Sequence, residues 1–170
     1  MILGMSLSAF VTLHVVISII GIVAGIIVMC GLLGSNRMPG LTAVFLLLTI
    51  LTSATGFLIP PLVSEKLLPS HMVGALSLVL LAIACIALYG MKLVGAWRWI
   101  YAVTALLSLY LNVFVLVIQG FLKVPALHAL APGEPPGGPV FAVVQLIVLV
   151  FFVIVIIGAV RRFRPMPVFA

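Results

Sequence analysis

Residues 108–123 read SLYLNVFVLVIQGFLK. Almost every side chain in the stretch suits hydrocarbon, yet Asn112 and Gln119 sit inside it, with Ser108 before them and Lys123 after. Extended back to Arg98, the run is long enough to cross a bilayer, which takes about 20 predominantly apolar residues. Lipid offers no hydrogen bonds, so a single spanning segment has to satisfy its own backbone and is helical.

Working outward from this run, four more segments meet the same criterion. The expected spans are about 9–33, 41–59, 70–91, 98–122 and 140–160. The turn-rich GSNRMPG ends the first, Pro60 and Pro61 stop the second, and Pro69 with Ser70 opens the third. RRFRP closes the fifth. The predicted fold is therefore all-α: one membrane domain over residues 1–170, an integral bundle of five transmembrane helices. The short links 34–40 and 92–97 make the first and second spans, and the third and fourth, antiparallel neighbours. The link 123–139, KVPALHALAPGEPPGGP, is long and rich in Pro and Gly, and is either a cap over one end of the bundle or a plain linker.

Composition agrees with the spans. Of 170 residues, 66% are hydrophobic and 6% are charged, against roughly 25% charged in soluble domains. The net charge of +6 does not point to nucleic acid. Arg37, Lys92, Arg98, Arg161, Arg162 and Arg164 fall on one side of the predicted bundle, and Lys66 and Lys123 on the other, with Glu65 and Glu134. By the positive-inside rule this puts the N-terminus outside and the C-terminus in the cytoplasm. Trp97 and Trp99 flank Arg98 where an aromatic belt is expected. MILGMSLSAF has no positive n-region, so no removable signal peptide is expected. Cys30 and Cys85 lie in separate apolar runs and are expected to be buried thiols used as small hydrophobes.

The polar residues then carry the functional question. At 100° per residue, Tyr101, Ser108, Asn112, Gln119 and Lys123 fall within about 40° on the fourth span. On the first span His14, Ser18, Gly21 and Gly25 share a face, and Gly21–Gly25 is a GxxxG close-approach pair. The second span aligns Thr49, Ser53 and Gly56, and the fifth carries Gln145. Counted from the outer ends, His14, Thr55, Gln119 and Gln145 lie about one turn inside. Asn112 lies near mid-membrane, and His71 and Lys123 lie at the rim. The expectation is an outward-facing polar pocket built from His14, Ser18, Thr55, Asn112, Gln119, Lys123 and Gln145. The rival is that the amides merely hold helices together, at roughly 0.6–2 kcal/mol each.

His14 is a strongly ionisable side chain well inside a span, which makes it a functional-site candidate by default. As a neutral imidazole it can ligate haem iron, with His71 at the start of the third span as the second ligand of a b-type haem. Lys66 or Lys123 would then meet the propionates. As a titrating group it can relay protons, and as a plain donor it can tie the first span to the fourth. A copper or zinc site from His14, His71 and Met72 has no supporting ligand spacing. His128 is expected to be an exposed loop residue and Glu65–Lys66 a solvated pair. No nucleophile–base pattern, phosphate loop or HExxH motif is present.

Three stretches, TSATGFLIPP, LPSHMVGALSLVLLAIACIALY and AWRWIYAVTALLSLYLNVFVLVIQGFLKVPALHALAP, resemble a group of small bacterial multi-span inner-membrane proteins with no assigned activity. The resemblance covers roughly residues 10–160 and implies a bacterial inner membrane. Three functional classes stay open. One is a pocket protein whose sharpest version is bis-histidine b-haem electron transfer to quinone or a periplasmic partner. The second is a cofactor-free accessory subunit of a larger membrane complex, and the third a small-solute transporter. A homo-oligomer is compatible with each.

Overall fold

The computed structural model describes residues 4–59 and 69–165. Pro60, Pro61, Glu65 and Lys66, to which the sequence reading gave roles, lie outside the described residues, as does the side chain of Ser70. The helices are α1 (Leu7–Leu33), α2 (Pro39–Gly56), α3 (Pro69–Cys85, running on into a π-helical turn Ile86–Gly90), α4 (Trp97–Lys123), the short α5 (Pro125–His128) and α6 (Pro139–Arg162). No strand occurs among the described residues. Five helices are long and apolar enough to cross a membrane, as the hydrophobic runs required.

Local chemistry sets their ends. Ser6 caps α1, its hydroxyl accepting from the Ala9 N–H at 3.2 Å. Proline occupies the first turn of α2, α5 and α6, where its missing N–H costs nothing. The end of α3 departs from a plain α-helix. The Met91 N–H reaches back to the Ile86 carbonyl at 2.8 Å, and the Leu93 N–H to that of Ala87 at 3.0 Å. Lys92 and Leu93 then turn through φ values of 49° and 61°. That left-handed pair is costly for residues with a Cβ. It persists because it reverses the chain into α4 while burying Leu93.

α4 is the hub. It packs against α1, α2, α3, α5 and α6, whereas among the described residues α6 packs only on α4 and α1, and α1 does not pack on α3. The expected pairings of α1 with α2 and of α3 with α4 are both present. Glycines permit the closest approaches. A Cβ on Gly25 would stand 2.6 Å from Leu109 Cδ1 and 2.8 Å from the Phe45 ring, and one on Gly21 would lie 3.3 Å from Leu48 Cβ. The GxxxG face thus serves α2 and α4 together.

The six basic side chains named above belong to helix ends and turns at one end of the bundle, called here the basic end. The chain after α6 is clipped to it. Arg98 donates to the Phe163 carbonyl, and the Arg164 N–H donates to Ser35 Oγ at 2.8 Å. Phe163 is buried, with its ring 6.1 Å from that of Tyr101.

Candidate polar cleft at the His14 end

Most hydroxyls on the polar faces are satisfied within their own helices. Thr49 donates to the Phe45 carbonyl at 2.7 Å, Thr104 to Ile100 at 2.8 Å and Ser108 to Thr104 at 2.9 Å. Such back-bonding is local and implies no ligand. Ser53 donates to Ser77 Oγ at 3.1 Å, joining α2 to α3 through two buried hydroxyls. Ser77 was not singled out from the sequence. Its signal was the pair Gly74 and Ser77, small residues about one turn apart on the face that meets α2.

His14 is half-buried and joins α1 to α2, its Nδ1 lying 2.8 Å from Thr55 Oγ1. The Thr55 hydroxyl donates to the Leu51 carbonyl at 2.6 Å, so its oxygen is left to accept. Nδ1 is therefore the donor in this pair, and in the neutral imidazole Nε2 keeps its lone pair. Ser18 donates to the His14 carbonyl at 2.6 Å. A Cβ on Gly56 would lie 3.6 Å from His14 Cε1, so the ring rests on the last turn of α2. His71 meets the same turn from α3: its ring stacks on Phe57 with centroids 5.6 Å apart and planes 18° from parallel. The two histidines thus contact neighbouring residues at the end of α2 from two helices that do not pack on each other among the described residues.

The amides divide. Gln145 is buried and donates to the Phe114 carbonyl at 3.2 Å, tying α6 to α4, while its Oε1 has no hydrogen-bond partner. Asn112 is half-buried, and its Nδ2 is buried without an acceptor. Thr52 Oγ1, unremarked in the sequence, is buried and unpartnered as well. Gln119 and Lys123 are exposed. His128, read from the sequence as an exposed loop residue, is half-buried. Its Nδ1 donates to the Phe121 carbonyl at 3.2 Å and holds α5 against the end of α4.

The exposure of Gln119 and Lys123 has a geometric meaning. Tyr101, Ala105, Ser108, Asn112, Leu116, Gln119 and Lys123 follow one another at spacings of three and four and form one stripe along α4. Its first three members are 2%, 0% and 0% exposed. Asn112 is intermediate, Leu116 is 44% exposed, and Gln119 and Lys123 are open. The same face that is sealed at the basic end comes into the open towards the other. The opening is one-sided. On the opposite face of α4, Phe121 stays buried with its ring 5.4 Å from Phe141, edge to face, and Tyr110 keeps its ring 5.6 Å from Phe152.

Metal ligation by clustered side chains has no counterpart: among the described residues, no group of three or more His, Cys, Asp or Glu side chains is placed to hold a metal ion. A two-histidine haem clamp is a different arrangement and is outside that criterion. Cys30 and Cys85, expected to be buried, are free thiols, the first exposed because its side of α1 is not packed against a neighbouring helix and the second half-buried. Comparison with protein-family models, with curated proteins and with solved structures gave no match to this chain. Fold and composition define its class: a multi-pass helical membrane protein, with five helices long and apolar enough to cross a bilayer.

Proposed function

We propose that this chain is a ligand-binding protein of a bacterial inner membrane. Its N-terminus lies outside, its C-terminus in the cytoplasm, and its cleft opens to the outer half of the bilayer. The orientation is supported by the six basic side chains at the end opposite His14. The ligand-binding role is carried by one observation: the inward stripe of α4 is sealed through Ser108 and open from Leu116 to Lys123. Asn112, where the stripe changes, carries an amide donor with no acceptor among the described residues, and His14 on α1 keeps a spare lone pair on Nε2 in its neutral form. Buried polar groups are ordinarily hydrogen-bonded, and this donor, itself out of solvent's reach, is left unpaired among the described residues where the stripe turns from sealed to open.

Cysteine labelling tests this directly. In a chain with Cys30 and Cys85 replaced by serine, Gln119→Cys and Lys123→Cys react with a membrane-impermeant maleimide added to spheroplasts. Ala105→Cys stays unreactive, and Arg162→Cys reacts only after permeabilisation. An inert Gln119→Cys removes the cleft, and an outside-reactive Arg162→Cys inverts the topology.

A second reading, b-haem held by His14 and His71 and passing electrons to quinone or a periplasmic partner, is favoured by both rings meeting the last turn of α2. Haem would supply one-electron chemistry there, with Lys123 at the rim for a propionate. The visible spectrum decides: protein made with haem supplied shows a Soret band that both His14→Ala and His71→Ala abolish. A colourless preparation ends that reading.

A further inference from the structure

Arginines gather at the C-terminal end of α6. Arg98 reaches it from α4, donating to the carbonyls of Val160, at 3.5 Å, and Phe163. The Arg164 N–H is bonded to Ser35 Oγ at 2.8 Å, which brings the turn that carries Arg37 beside the same end. Arg161, Arg162 and Arg164 are exposed. Glu134, the acidic residue among those described, lies in the loop at the opposite end of α6. The cluster therefore has no side-chain carboxylate beside it among the described residues.

The face of α6 that leads away from this cluster is bare. Among the described residues α6 packs only on α4 and α1, and its buried residues are Gln145, Phe152, Val155 and Ala159. On the opposite face Leu146, Ile147, Val150, Phe151 and Ile154 line a shallow apolar groove. At 100° per residue, Arg161 falls within about 20° of the middle of that groove. Ile157, 48% exposed, lies between them. From Arg161 to Val150 the stripe runs about 16 Å along the helix axis, close to half the roughly 30 Å hydrocarbon core of a bilayer. One helix face thus carries a cation at its end and an apolar trough about one leaflet deep. Exposed Trp99, next to Arg98, marks the membrane boundary at this level.

Head and trough together have the outline of a phospholipid. Guanidinium groups pair their N–H donors with phosphate oxygens, and lipid phosphate is the oxyanion present at that boundary. A zwitterionic head would bring its own cation into a cluster of arginines, whereas an anionic head brings none. We propose that the Arg161 end of α6 binds a phospholipid whose head carries a net negative charge. Its phosphate is held by Arg161, with Arg162 and Arg164 adding to the field, and one acyl chain lies along Ile157, Ile154, Phe151 and Val150. The site is at the far end of the bundle from His14 and does not depend on a ligand being bound there.

The test uses the full chain in nanodiscs of phosphatidylglycerol and phosphatidylcholine in equal parts. A trace of one lipid or the other carries a diazirine at the same place on its acyl chain, and cross-links are mapped by peptide mass spectrometry. Phosphatidylglycerol labels residues 150–157 about fivefold more than phosphatidylcholine, in keeping with the attraction of one basic side chain to an anionic surface. Arg161→Gln combined with Arg162→Gln brings the ratio to about one, Arg161→Lys keeps most of it, and Lys123→Gln leaves it unchanged. These arginines are exposed, so labelling by phosphatidylcholine stays constant throughout. If the two lipids label the natural chain equally, or the preference survives the double variant, the groove holds bulk lipid and the proposal falls. If inorganic phosphate abolishes the preference where chloride at equal ionic strength does not, the site binds the free anion and the lipid is the wrong occupant.

Discussion

The two halves of this bundle are built differently. At the basic end, α1 buries Gly21, Ile22, Ala24, Gly25, Val28, Met29, Gly31 and Leu32, and α4 buries residues 101, 102, 104–106, 108 and 109. At the His14 end, the buried residues of these two helices are Phe10 on α1 and Phe121 on α4. α3 and α6 follow the same trend, with Leu81, Ala84 and Ala87 and with Phe152, Val155 and Ala159 towards the basic end. The reason lies in side-chain size. Small residues bring α1, α2 and α4 together around Gly25, Ala102, Ala105 and Ser108, and burial falls where these give way to larger and polar residues. One half is closely packed, and the other leaves more of its side chains open.

Breaking the packed half should have the largest effect. Gly25→Leu would drive a side chain into Leu109 and Phe45, with a loss of about 3 kcal/mol or more expected from overpacking. The loss is measured by unfolding in mixed micelles with increasing dodecyl sulfate. The contrast is sharpest within one helix: Leu109 is fully buried and Leu116 is 44% exposed on nearly the same face, seven residues on. Leu109→Ala should cost about 2–3 kcal/mol, and Leu116→Ala within about 0.5 kcal/mol. Equal costs would mean the outer half is packed after all.

Smaller effects separate glue from site. Gln145→Leu removes the α6–α4 hydrogen bond along with an unpartnered oxygen, and should change stability by no more than about 0.6 kcal/mol. A loss of several kcal/mol would show that α6 depends on this bond. Thr55→Val removes the acceptor for His14 Nδ1 at a similarly small cost, about 0.6 kcal/mol. It should speed modification of His14 by diethylpyrocarbonate, followed by mass spectrometry. An unchanged rate would mean that Thr55 does not hold the ring.

Some of the site could be read from the chain alone, because helical periodicity is a property of sequence. His14, Ser18, Asn112, Gln119 and Lys123 were placed on their faces by counting at 100° per residue. The partner of each could not be read that way. Thr55 as the acceptor for His14, Phe114 as the anchor for Gln145, and Ser77 as the mate of Ser53 depend on how helices are rotated and crossed. His128 was misjudged for the same reason: Pro125 starts a helical turn that folds the loop back onto α4, and nothing in the composition of that loop announces it.

What the sequence determined by itself was the presence of five membrane-length helices and the crowding of cationic side chains at one end of them. Hydrophobic run length and loop charge act on each segment separately, so neither needs a neighbour to be read. The tertiary structure alone decided which polar groups satisfy one another and which are left over. It also decided where a single stripe of α4 passes from sealed to open. Those outcomes depend on how the helices are rotated and packed, which glycine and alanine contacts set in one half of the bundle.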